Sequence, residues 1–229
     1  MMSFLNDRVL ESVRGSSLFY PGAGTDWHDV LTLFAPVVSE FWFIDVAYFR
    51  LEPADAVERL LGDSEAFDYH GFHVDGPPRA ALEWRVDTVT GKPYPFIEPC
   101  TRTELYLHRT TNEYVWVHRR RGFGEKSIAS VRDIGVFVHR GDSRGEGGSN
   151  VYWLSRRRIP ELQNRLRSGG LIVTDGSLSH VHQLRRAGRH ASIKRACEQG
   201  TSFQKWGYRW ACVGRMGERE TPMWQVRAP

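Results

Sequence analysis

One stretch near the start constrains the fold more than any other. From Ser16 the chain reads Ser-Ser-Leu-Phe-Tyr and turns through Pro21-Gly22-Ala23-Gly24-Thr25-Asp26. It then continues over 27–38 with apolar residues at 27, 30, 31 and 34, and arrives at Phe41-Trp42-Phe43-Ile44-Asp45-Val46-Ala47. An unbroken apolar run of strand length is what a strand buried on both faces of a parallel sheet requires. Parallel neighbours cannot be joined by a tight turn, and a helix between them is the usual crossover. The spacing therefore predicts strand, glycine turn, helix, strand. Thr25 or Asp26 is expected to cap the helix, and Pro36 to close it, because proline cannot supply the next hydrogen bond.

The same pattern returns after a change of character. Residues 53–61 read as a short helix, and 63–78 as a polar, proline-marked passage. Residues 82–89 alternate, and 104–108 and 114–118 flank Thr110-Thr111-Asn112-Glu113, which predicts antiparallel strands around a turn. A buried strand is expected at 134–138, a helix through Ile159, Leu162 and Leu166 terminated by Gly169-Gly170, and another strand at 171–175. A helix over 178–197 and a closing hairpin of 208–213 with 223–226 complete the reading. It amounts to a single α/β domain over 1–229, Rossmann-like with a mainly parallel sheet, a C-terminal antiparallel hairpin and an antiparallel β elaboration. Residues 77–130 are the insertion or lid.

Composition narrows the function classes. The chain has 229 residues with 41% hydrophobic content, in keeping with one globular domain. No segment approaches the ~20 consecutive apolar residues of a membrane helix, and residues 1–10 lack a basic stretch followed by an apolar one, so a cytoplasmic protein without a membrane partner is expected. Cys100, Cys197 and Cys212 have no CxxC spacing and indicate neither a disulfide framework nor a cysteine zinc site. The 31 basic residues against 27 acidic ones give a formal charge of +4, which permits an anionic partner without requiring one.

In an open parallel sheet, ligands bind beyond the carboxyl ends of the strands, which places the loops after residues 20, 45, 139 and 174 on one rim. Gly22 and Gly24 allow a ligand close to the backbone, and the following helix start favours negative charge. Asp45, 21 residues after Gly24, stands where a carboxylate accepts hydrogen bonds from a ribose diol. Tyr20-Pro-Gly-Ala-Gly-Thr-Asp26, Asp45 and Leu166-Arg-Ser-Gly-Gly-Leu-Ile-Val173 together resemble the class I S-adenosylmethionine-dependent methyltransferases. That resemblance implies S-adenosylmethionine as cofactor, held by Tyr20, Gly22, Gly24, Asp26 and Asp45, and methyl transfer as the reaction. Two positions depart from the family pattern, since Tyr20 replaces the usual acid and Asp26 the usual third glycine.

The loop Arg140-Gly-Asp142-Ser-Arg144-Gly-Glu146-Gly-Gly-Ser-Asn150 suits a mobile segment that wraps a substrate, with Arg140, Arg144, Glu146 and Asn150 as contacts and Asp142 as base. His139, ending a strand beside that loop, and Asp175, ending the next strand, are the other proton-transfer candidates. Asp68, His70, His73 and Asp75 fit no metal spacing, and no metal is expected. Arg119-Arg120-Arg121, Arg156-Arg157-Arg158 and Arg185-Arg186, with Trp116, Tyr152, Trp153 and Trp206, supply a second reading. In it the protein is non-catalytic and binds a nucleotide or nucleic acid. A dehydrogenase is disfavoured, because Trp27 stands where a dinucleotide motif needs glycine. The partner class is thus a small-molecule or nucleotide-like ligand.

Overall fold

The structure is a computed structural model that describes residues 7–25, 27–48, 51, 65–139, 153–154, 156–174, 202–217 and 221–227. Its elements in chain order are α1 (Asp7–Glu11), β1 (Ser17–Pro21), α2 (His28–Phe34), β2 (Glu40–Asp45), β3 (Phe67–Asp75), β4 (Glu83–Val86), β5 (Pro93–Phe96), β6 (Cys100–His108), β7 (Glu113–Arg121), α3 (Gly124–Ser127), β8 (Ile134–His139), α4 (Ile159–Gln163), β9 (Leu166–Thr174), β10 (Ser202–Lys205), β11 (Tyr208–Met216) and β12 (Thr221–Arg227). A 3-10 turn at Ile128–Ser130 follows α3.

Among the described residues, ten strands form one sheet in the order β10-β11-β12-β9-β8-β1-β2-β7-β6-β3, and β4 pairs with β5 apart from it. The middle is parallel: β9, β8, β1, β2 and β7 run together. The flanks are antiparallel, with β3 and β6 on one side and β12, β11 and β10 on the other. The central strands are apolar on both faces as the sequence requires, and every residue of β1 and β8 is buried. One face carries Leu18, Phe41, Phe43, Val117, Val136 and the α2 residues Val30, Leu31 and Phe34. The opposite face carries Phe19, Ile44, Phe137, Ile172, Trp210 and Trp224.

The expected Rossmann-like α/β methyltransferase-type domain with a mainly parallel sheet is not what forms. Five of the nine pairings in the large sheet are antiparallel and four are parallel. The described helices are brief, seven residues in α2 and five or fewer in the others, so the architecture is a mixed β-sheet with little helix. The cause lies in two long alternating segments. β6 and β7, nine residues each, bring enough half-buried surface to extend the main sheet, and β11 with β12 does the same at the other end. Of residues 77–130, only β4 and β5 stand apart; β7 pairs directly with β2.

Several local expectations change as well. The α2 N-cap is Trp27, with no side-chain hydrogen bond, so Thr25 does not cap the helix. Helix α2 ends at Phe34, two residues before Pro36, as that proline dictates. Gly169 and Gly170 do not end a helix; they lie inside β9, with Gly169 at φ +81°, where the register against β8 is irregular. Cys100 is a buried free thiol, whereas Cys212 is disulfide-bonded, contrary to the expectation from spacing. The helices expected at 53–61 and 178–197 lie outside the described residues. No described helix is long and apolar enough to cross a membrane.

Candidate functional site

The carboxyl ends of β1, β2, β7, β8 and β9 meet along one rim, and the glycine turn leaves the first of them. Gly22 and Gly24 adopt φ values of +71° and +51°, a backbone region that side chains with a Cβ avoid. The turn folds back onto β2: the N–H groups of Gly22 and Ala23 both donate to the Ile44 carbonyl, at 2.7 and 3.2 Å. The carboxylate of Asp45 completes the arrangement. Its Oδ2 accepts the Gly24 N–H at 2.8 Å and its Oδ1 accepts the Ala47 N–H at 2.7 Å. The residue is 3% exposed. Sequence spacing thus brings together an acid and a glycine turn, and the acid organises the turn.

Tyr20 sits one residue before the end of β1 and is 1% exposed, its ring edge-on to Phe43 at 6.3 Å. It belongs to the core beneath the rim. His139 ends β8 opposite Thr174 of β9 and is 2% exposed. Burial pushes its pKa down to about 4, so its imidazole is neutral at physiological pH. Asp26, Arg140, Asp142, Arg144, Glu146, Asn150 and Asp175 lie outside the described residues.

Other residues shape the rim without a motif to announce them. The Gly122 N–H donates to the Asp45 carbonyl at 3.1 Å, which carries the chain from β7 over the end of β2. A Cβ at Gly124 would stand 2.5 Å from the Pro21 Cβ and 3.2 Å from the Trp153 ring, so only glycine lets this segment cross the end of β1. Beside it opens a cleft of about 210 Å³ whose lining includes Ile97, Arg120, Phe123 and Lys126. Arg121 is fully buried and donates to the carbonyls of Glu98 at 2.7 Å, Pro78 at 3.1 Å and Pro77, tying three segments under the rim.

The arginine triplet is therefore not a continuous basic surface. Strand alternation turns Arg119 and Arg121 to one face, where Arg119 pairs with Glu104 at 3.3 Å, and leaves Arg120 on the other. Asp68 accepts from Arg109 Nε at 2.9 Å, and His70 packs edge-on against Tyr114 at 5.2 Å. The signal for the inward arginines was available in principle: in β6 and β7 they alternate with residues that face the other way, at the period of a strand. No family model, curated protein or solved structure matches this chain.

Proposed function

We propose that the chain binds a nucleoside-containing ligand across the carboxyl ends of β1 and β2, with S-adenosylmethionine as the ligand and transfer of its methyl group as the reaction. The observation that carries this reading is the 2.8 Å hydrogen bond from Gly24 to Asp45, which brings the two elements of the expected site to one point. A carboxylate offers about four lone-pair positions, and the two backbone donors occupy two of them. The remaining positions suit the hydroxyls of a ribose once the turn moves to admit them. The sulfonium already carries positive charge, so the protein's work is to align an acceptor and, where needed, to remove its proton. His139 is a weak base in its desolvated setting, which gives that task to Asp142 or Asp175 in this reading.

Calorimetric titration of ligand-free protein with S-adenosylmethionine and S-adenosylhomocysteine, with NAD and ATP as controls, tests the proposal. Selective binding of the first two, lost in Asp45→Ala but retained in a folded Trp84→Ser control on the separate β4–β5 sheet, supports it. Absence of binding by both overturns it. Equal binding of all four by wild type and Asp45→Ala would also remove Asp45 from the site.

A further inference from the structure

The cleft beside Gly122 has no part in the reading above. Its volume is about 210 Å³, below the ~300–1,000 Å³ of sites that hold drug-sized ligands, which suits a smaller molecule. The passage from β5 into β6 supplies Phe96, Ile97 and Pro99, and the end of β7 with α3 supplies Arg120, Phe123 and Lys126. Phe96 is the last residue of β5, so the small two-stranded sheet contributes to the lining. The two sides are tied together, because Arg121 at the end of β7 donates to the Glu98 carbonyl, between Ile97 and Pro99, at 2.7 Å.

The charge of this cleft is one-sided. Its lining holds Arg120, Arg121 and Lys126 and no carboxylate, although Glu98 and Glu125 are chain neighbours of lining residues. Arg121 spends N–H groups on main-chain carbonyls. Arg120 is half-buried and has neither a hydrogen bond nor an ion pair among the described residues. Strand alternation turns it away from Arg119 and Arg121, and its cross-strand neighbours are Ile44 in β2 and Thr101 in β6, so the sheet brings it no counter-charge. The Lys126 ammonium lies 5.3 Å from the centre of the Phe123 ring and forms no ion pair among the described residues. A half-buried cation without a partner is costly, and an anion placed beside apolar walls repays more of that cost than one in open water.

From this geometry we infer that the cleft binds a small organic anion, its carboxylate or phosphate between Arg120 and Lys126 and its apolar body against Phe96, Ile97 and Phe123. The guanidinium fork matches either oxyanion, and lysine adds a second positive charge without demanding a geometry. The site does not rest on the nucleoside proposal, since it uses neither the Asp45 carboxylate nor the turn at Gly22 and Gly24.

Titration of the full chain with benzoate and with phenyl phosphate, followed by amide NMR, tests the inference. Saturable shifts at the Gly122, Phe123 and Ser127 amides are expected with at least one of the two, and the tighter binder identifies the anionic group. Affinity should fall at least tenfold in Arg120→Gln and severalfold in Lys126→Gln, and stay within twofold in Arg132→Gln, which removes an exposed charge outside the lining. Benzyl alcohol keeps the body without the charge, inorganic phosphate keeps the charge without the body, and each should bind at least tenfold more weakly. Thermal melts identify any variant that fails to fold, and the exposed Lys126 supplies one whose fold is not at stake. Absence of saturable shifts with both anions at millimolar concentration overturns the inference. So does affinity that survives both Arg120→Gln and Lys126→Gln, or benzyl alcohol or inorganic phosphate binding as tightly as the organic anion. Asp45→Ala reports on the nucleoside proposal and Arg120→Gln on this one, so either can fail alone.

Discussion

Asp45 spends its charge on the backbone, and its effect on stability follows from that. Removing the carboxylate leaves the Gly24 N–H without its acceptor at a half-buried position, while the Ala47 N–H is on an exposed residue that solvent can serve. Asp45→Ala should lower the unfolding free energy by about 1–3 kcal/mol, and Asp45→Asn by less, because an amide oxygen still accepts. Urea denaturation checks this, and a change within experimental error for both would deny Asp45 its organising role. His139 gives a pH dependence with a definite sign. Its folded-state pKa is depressed to about 4 from 6.5, so between those values the unfolded chain binds more protons than the folded one. The stability it contributes is complete above about pH 6.5 and is lost as pH falls toward 4, with a slope of up to ~1.4 kcal/mol per pH unit. Replacing His139 with phenylalanine should flatten that part of the profile.

Strands differ in how plainly they are written. β2 and β8 are continuous apolar runs, and such runs have one common use in a sheet. β3 was hidden in a polar, proline-marked passage because it is an edge strand, half-buried or exposed at every residue but Phe67 and broken by a bulge between Tyr69 and Gly71. Edge strands are kept polar for the same reason that makes them hard to see. β6 and β7 were found, but pairing with β2 is a non-local event that no local pattern encodes. Of the site, Asp45 and the glycine turn were readable from their 21-residue separation, whereas Gly124 depends on where the chain crosses the end of β1 and the inward Arg119 on which face β7 turns to the core. Glycines mark close crossings more reliably than helix ends. A Cβ at Gly135 in β8 would overlap the side chain of Ser16, itself 1% exposed, and lie 3.2 Å from the Val13 Cβ. Gly135→Ala should therefore cost about 1–3 kcal/mol, and Ser16→Gly in the same chain should recover part of it. A double-mutant cycle by denaturation measures the coupling, and strict additivity would count against the crossing.

The two-stranded β4–β5 sheet stands outside the large sheet and exposes much of its apolar surface, with Trp84 70% and Val86 64% exposed. Trp84→Ser should leave global stability unchanged within about 0.5 kcal/mol by urea denaturation, in contrast to Leu31→Ala in α2, which should cost about 2–5 kcal/mol. A large loss from Trp84→Ser would mean that the hairpin carries part of the fold. At the other end of the sheet, order in space departs from order along the chain. β12 is the latest of the described strands, yet it lies between β9 and β11 and is antiparallel to both. Until residues 221–227 are made, the β10–β11 hairpin lacks the strand through which it joins the sheet, and β9 keeps one edge unpaired. Closure of this end of the sheet is therefore a bridging event, in which one strand joins a hairpin to the edge of β9 by pairing with both.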